Sequence, residues 1–288
     1  MNRLTTKMMT GVLLAASALL AAAPVEEDVY LTGAWGAGRS DASARLYRQA
    51  GFTMAPSGDF RRFPLADYRY IDGVSGQPPR EAARPFETAD GKLLESVGLF
   101  THVNFSAPSV EAWWRTHVAR LMEGKRKHAH RVAFWKVHNE FGYHSGELFD
   151  YSEGSIARYR EWLRRRYGSI EKLNRGWSTR LASFEAVEPP RRDLLVNLPN
   201  WLDWRRFTAW NFARYFRETG DLIRRTVPDA KVSDNFYMTS GLDGWDLFEL
   251  ARQTDYLAMD IYAIGRWDSP SATSTSPARP HTPGASPS

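Results

Sequence analysis

The stretch RVAFWKVHNEFGYHSGE, residues 131–147, decides how the chain is read. Its first half is rich in β-branched and aromatic side chains, the composition of a buried strand. The run then ends in His138, Asn139 and Glu140 and passes at once into aromatic, Gly and His residues. Strict alternation along a strand sends Asn139 and Glu140 to opposite faces, so the two share a pocket only where the strand bends or bulges. Gly142 is placed to permit such a bend.

Working outward, strand and helix patterns alternate about six times. VYLTGAWGAG at 29–38 reads as a strand running into a Gly-rich loop, DASARLYRQAG at 41–51 as a helix with a Gly stop, and FTMAPSG at 52–58 as a second strand. That βαβ unit predicts a parallel sheet. Either Tyr68–Val74 or Gly98–Phe105 serves as the third strand, with a Pro78-Pro79 loop between them. Val110, Trp113, Trp114, Val118, Leu121 and Met122 recur at helical spacing from Ser109 to about Lys127. After the 131–140 strand come a helix from about Ser155 to Tyr167 stopped by Gly168, a short helix in SIEKLNRGW and a Pro-rich loop at 188–200. A long helix then covers Leu202–Val227. Strands at 230–238 and 254–263 follow, with a helix around Trp245–Arg252 between them. The order predicts an α/β fold, either a doubly wound sheet or a (β/α) barrel.

Three strands finish in polar groups: HNE at 138–140, SDN at 233–235 and MDIY at 259–262. In a parallel barrel those carboxyl ends form one face, where ligands bind. A carboxyl there, shielded by Trp and Tyr, has its neutral form favoured and can protonate a leaving oxygen. On residue types alone Glu140 is a candidate catalytic acid; an N-capping or ion-paired Glu is the alternative.

Composition is that of an ordinary globular chain, 43% hydrophobic and 25% charged, with 11 Trp whose faces suit either a core or a sugar ring. The first 23 residues set Arg3 and Lys7 before an apolar run ending in alanines. This predicts a signal peptide, an exported protein of the periplasm or exterior, and no membrane anchor after cleavage. The net charge of +5 is spread along helix faces such as RYREWLRRRYG, which argues against a nucleic-acid partner. With 0 Cys there are no disulfides or thiolate metal sites. His128, His130, His138 and His144 lack ligand spacing for zinc, so neither metal nor cofactor is expected. His138 reads instead as pocket lining that orients Glu140 or the substrate. From Ser269 the chain turns to SPSATSTSPARPHTPGASPS, a composition that predicts a disordered tail over 269–288 and leaves 24–268 as the folded domain.

FWKVHNEFGYHSGE, YREWLRRRYGSIEKLNRGWSTR and LDWRRFTAWNFARYFRETGDLIRRTVPDAKVSDNFY together resemble glycoside hydrolase family 42, the β-galactosidase family. The similarity runs in order from Val110 to Tyr262. It implies a (β/α)8 TIM barrel and a retaining glycosidase acting on a β-galactoside or related oligosaccharide, with the first, third and fourth strands at 29–38, 68–74 and 131–140. Two carboxyl groups roughly 5 Å apart do the chemistry in such enzymes. Carried over by motif, Glu140 is the acid/base and Asn139 holds the sugar 2-hydroxyl. By position Trp35, His138, Asn235, Tyr237, Asp260 and Tyr262 line the pocket.

The chain departs from the family pattern in one respect that bears on chemistry. The family nucleophile is a Glu at the end of the seventh strand, whereas this chain leaves the barrel pattern after the sixth, near Trp267, and its last Glu is Glu249 on a helix. The expectation is a glycosidase with an incomplete barrel of about six βα units that lacks the nucleophile; its activity in this form and a homo-oligomer are left open. The alternatives are a noncatalytic carbohydrate-binding protein and a barrel glycosidase for another β-linked glycan.

Overall fold

The computed structural model describes residues 32–33, 40–56, 69–94, 104–140, 149–191, 196–237 and 246–260. The expected signal peptide and tail, Trp35, Gly142 and Tyr262 lie outside them. The chain divides into two compact units, Met1–Asp72 with His130–Ala133, and Gly73–Ala129 with Phe134–Ser288.

In the first unit, helix α1 (Asp41–Gln49) opens with a reciprocal capping box between Ser40 and Ser43, which satisfies two amide donors at its start. Strand β1 (Met54–Pro56) lies parallel to β2 (Arg69–Gly73), with Ala55 opposite Tyr70. The 68–74 candidate is thus a parallel strand; of the rival stretch, residues 98–103 lie outside the described residues and Phe105 lies in a turn. Gly33 bridges Met54 in parallel, as the expected first strand requires. A Cβ there would sit 2.7 Å from the Met54 carbonyl oxygen, so the close approach needs glycine.

In the second unit, a short antiparallel pair, β3 (Phe86–Glu87) with β4 (Leu93–Leu94), stands in a segment expected to be loop. Helix α2 (Pro108–Lys125) begins with Pro at its first position, where no amide donor is missed. A 3₁₀ turn, Arg126–Arg131, leads into β5 (Val132–Lys136), which pairs in parallel with β6 (Val232–Ser233). Between them run α3 (Glu153–Tyr167), α4 (Ile170–Trp177), a 3₁₀ turn at Phe184–Ala186 and α5 (Leu198–Arg224). Helix α5 starts four residues earlier than the sequence pattern suggests. Asn197 caps it by accepting from the Asn200 amide at 3.0 Å, and Pro199 falls in the first turn, so the end of the Pro-rich stretch initiates the helix. Strand β7 (Asn235–Tyr237), helix α6 (Leu247–Gln253) and β8 (Ala258–Asp260) complete the order, β7 and β8 again parallel.

The helices of this crossover have a core of their own. Tyr159, Leu163, Leu173, Trp177, Trp204 and Phe207 pack as one buried cluster, and each large side chain contributes about 2–3 kcal/mol by leaving water. Asp203, 1% exposed, sits at its edge. Its carboxylate accepts from the Tyr167 hydroxyl at 2.5 Å and the Trp177 indole at 3.0 Å, and faces the Arg166 and Arg206 guanidinium groups at 3.2 and 3.3 Å. One buried anion thus ties α3, α4 and α5 together.

Candidate active site

Strand β5 stops at Lys136, and residues 137–140 bend away. Val137 still donates to the Ser233 carbonyl at 3.2 Å, but the next amide, that of His138, donates to the Asp234 carboxylate at 3.0 Å. Asp234, fully buried, is the residue that separates β6 from β7. A side-chain anion takes over where the backbone ladder ends, and a charge-assisted bond of this kind is stronger than the amide bond it replaces.

The bend is completed at Glu140 itself, whose φ of +45° puts it in the left-handed region. For a residue with a Cβ this costs roughly 1–2 kcal/mol, and such costs concentrate at functional positions. Here the left-handed residue follows Asn139 directly, so the two adjacent polar side chains leave a strand without obeying its alternation. Glu140 is 6% exposed and Asn139 exposed.

Asn139 Oδ1 accepts from Lys136 Nζ at 2.9 Å and from Asn235 Nδ2 at 3.3 Å. Asn139 and Asn235, expected in one pocket, are therefore in contact. Tyr237 and Asp260 pair in register across β7 and β8. Lys136, absent from the expected site, joins it, because the chain curls after β5 and brings Asn139 back to it.

His138 is used differently from the expectation. Its ring is buried against Trp114 and Tyr215, at centroid distances of 4.9 and 5.7 Å, in a cluster where those two rings also touch at 5.5 Å, and Nε2 pairs with the Tyr215 hydroxyl at 2.6 Å. It faces α2 and α5 instead of a ligand. Burial, with the nearby His117 and Lys136 charges, pushes its pKa down to about 3. The Tyr215 hydroxyl is held well above its ordinary value by burial and then by the Asp234 charge. A neutral imidazole beside a neutral phenol thus underlies the bend.

A cavity of about 150 Å³ between α2 and α5 is lined by Phe105, Trp114, Tyr215 and Leu222, on the helical side of His138. Among the described residues no three His, Cys, Asp or Glu side chains are grouped to hold a metal. No described helix is long and apolar enough to cross a membrane. Glu249 is engaged on its own helix, with Arg252 Nη1 at 3.0 Å and Gln253 Nε2 at 3.3 Å.

The family model for glycoside hydrolase family 42, described as beta-galactosidase, matches residues 87–282. A beta-galactosidase of Arthrobacter sp is 32% identical over 183 residues, 62% of this chain and 26% of that protein. The beta-galactosidase BgaH of Haloferax lucentense is 32% identical over 167 residues, 56% of this chain and 24% of its own. Among solved structures, the polyextremophilic beta-galactosidase of Halorubrum lacusprofundi superposes with a TM-score of 0.67 at 21% identity, over 81% of this chain and 40% of that one. A catalytic mutant of Gan42B, a beta-galactosidase of G. stearothermophilus, gives 0.64 at 19% over 77% of this chain and 37% of its own. The fold is thus an incomplete (β/α)8 barrel, and the chain spans about a quarter of the length of these curated relatives. Together with the strand-end Asn139–Glu140 pair, these matches establish that the chain belongs to glycoside hydrolase family 42.

Proposed function

We propose that this chain carries the acid/base half of a retaining β-galactosidase site, with Glu140 as acid/base and Asn139 holding a sugar hydroxyl. The observation that supports it most is the left-handed Glu140, buried at the end of a parallel strand beside an exposed Asn139. In this reading the Glu140 carboxyl gives its proton to the glycosidic oxygen as the C–O bond breaks, then takes one from the water that attacks the anomeric carbon. The second carboxylate, which holds that carbon meanwhile, is assigned to no residue of this chain. Passage through the export machinery, directed by the first 23 residues, belongs to the same proposal and predicts a shortened protein outside the cytoplasm on cell fractionation.

A second reading is binding of a β-galactoside without turnover; among the described residues Glu249 is held by Arg252 and Gln253 on its own helix. Calorimetric binding of methyl β-galactoside and hydrolysis of an aryl β-galactoside, each with Glu140→Gln, separate the two. Turnover in the presence of added formate, a small carboxylate able to take the place of the second group, that falls by at least about a hundredfold in the variant supports the enzyme. Binding without turnover, in both proteins, supports the second reading. Full turnover by Glu140→Gln, or no binding by either, overturns the assignment.

A further inference from the structure

The side-chain oxygen of Asn139 faces two donors, Lys136 Nζ at 2.9 Å and Asn235 Nδ2 at 3.3 Å. Which end of a carboxamide points where is ordinarily an assignment made from its neighbours. Here one neighbour removes the choice, because an ammonium has three N–H groups and no lone pair and can only donate. The atom facing Lys136 must be the oxygen. Asn139 is exposed, and among the described residues its Nδ2 has no partner. Its two remaining N–H bonds are what it offers outward.

We propose that Lys136 is a positioning residue which, with Asn235, locks the Asn139 carboxamide so that the site presents a hydrogen-bond donor to a hydroxyl oxygen of the bound sugar. The inference deepens the reading of this site as a galactoside site and rests on it. Two effects act in the same direction. The lock removes the flipped state, in which the carbonyl would face the sugar and accept instead of donate. The cation drawing on Oδ1 also polarises the amide and strengthens the outward N–H groups. Lys136 reaches no reacting atom in this scheme; it acts through Asn139. Its place three residues before Asn139 gives the contact only because the chain curls after β5, so the same bend that presents Glu140 also builds the lock.

The test uses the full chain and the variants Lys136→Met, nearly the same shape without a donor, and Lys136→Arg, which keeps a cationic donor. Titration with methyl β-galactoside is expected to be about tenfold weaker for Lys136→Met and largely restored in Lys136→Arg. Among its monodeoxy analogues, the one lacking the hydroxyl read by Asn139 is expected to bind parent and Lys136→Met alike. An equal loss across every analogue, or none for methyl β-galactoside, overturns the proposal. A second readout needs no ligand. The Asn139 side-chain carbonyl carbon, identified in ¹³C spectra through Asn139→Ala, is expected to shift upfield in Lys136→Met and to return in Lys136→Arg. An unmoved resonance overturns the lock, whereas a moved resonance with no galactoside binding leaves the lock standing and removes the proposed function.

Discussion

Replacing His138 by Phe is expected to flatten the loss of stability in acid. His138 is buried, and its pKa of about 3 lies well below the ordinary 6.5. The unfolded chain therefore takes up a proton that the folded chain refuses, so this group's stabilisation is complete above the unfolded value and lost as pH falls from 6.5 towards 3. Taking 6.5 for the unfolded chain, the loss between pH 7 and pH 5 is about 2 kcal/mol, from the ratio of protonated to neutral imidazole in the unfolded state. Burial among the Trp114 and Tyr215 rings does most to keep His138 neutral, and the His117 and Lys136 charges act in the same direction. Phe can stack in the same slot but cannot titrate. Urea unfolding at the two pH values, for the parent chain and for His138→Phe, isolates the effect, since the other groups are common to both. Asp150 is one of these; burial raises its pKa, so its own contribution grows as pH falls. The parent is expected to lose about 2 kcal/mol more than the variant. Losses agreeing within about 0.5 kcal/mol would refute the account of the buried neutral ring.

Asp203→Ala strips the half-buried Tyr167 hydroxyl of its acceptor and leaves the Trp177 indole only that hydroxyl, at 3.2 Å, and should cost about 2–3 kcal/mol in urea unfolding, whereas loss of under 1 kcal/mol would show that the carboxylate is not a hub. Ser178, exposed at the C-cap of α4 with φ of +57°, is a residue with a Cβ where glycine is at ease; Ser178→Gly is expected to raise stability by about 0.5–1 kcal/mol, read as a higher thermal midpoint.

The alternation of parallel strands and helices was legible because burial on both faces makes each strand a nearly unbroken apolar run, as in VAFWKV. The break between β6 and β7 was not, since Asp234 interrupts the run for the sake of an amide far away in the chain, and no local pattern reports such a pairing. The start of α5 was missed because Pro199 reads as loop when its place in a first turn is unknown. In the site, Asn139 and Glu140 stood out as polar residues at a strand end, and the need for a bend followed from the period of two. The bend falls on Glu140, a residue with no propensity for it, because the surrounding contacts outweigh its own preference. His138 looked like a ligand-facing group from its neighbours in sequence, yet its ring goes to the aromatic layer of α2 and α5. Lys136 gave no sign on its own, because its contact with Asn139 exists only once the chain has curled.

The crossover from β5 to β6 carries its own aromatic cluster, fastened by Asp203, while the groups at the proposed sugar face stand on strand tips outside it. Cohesion and recognition are thus assigned to separate sets of side chains. Drift at the tips can retune which glycan is held without dissolving the scaffold, and a lineage built this way is free to explore new diets by exchanging a handful of residues.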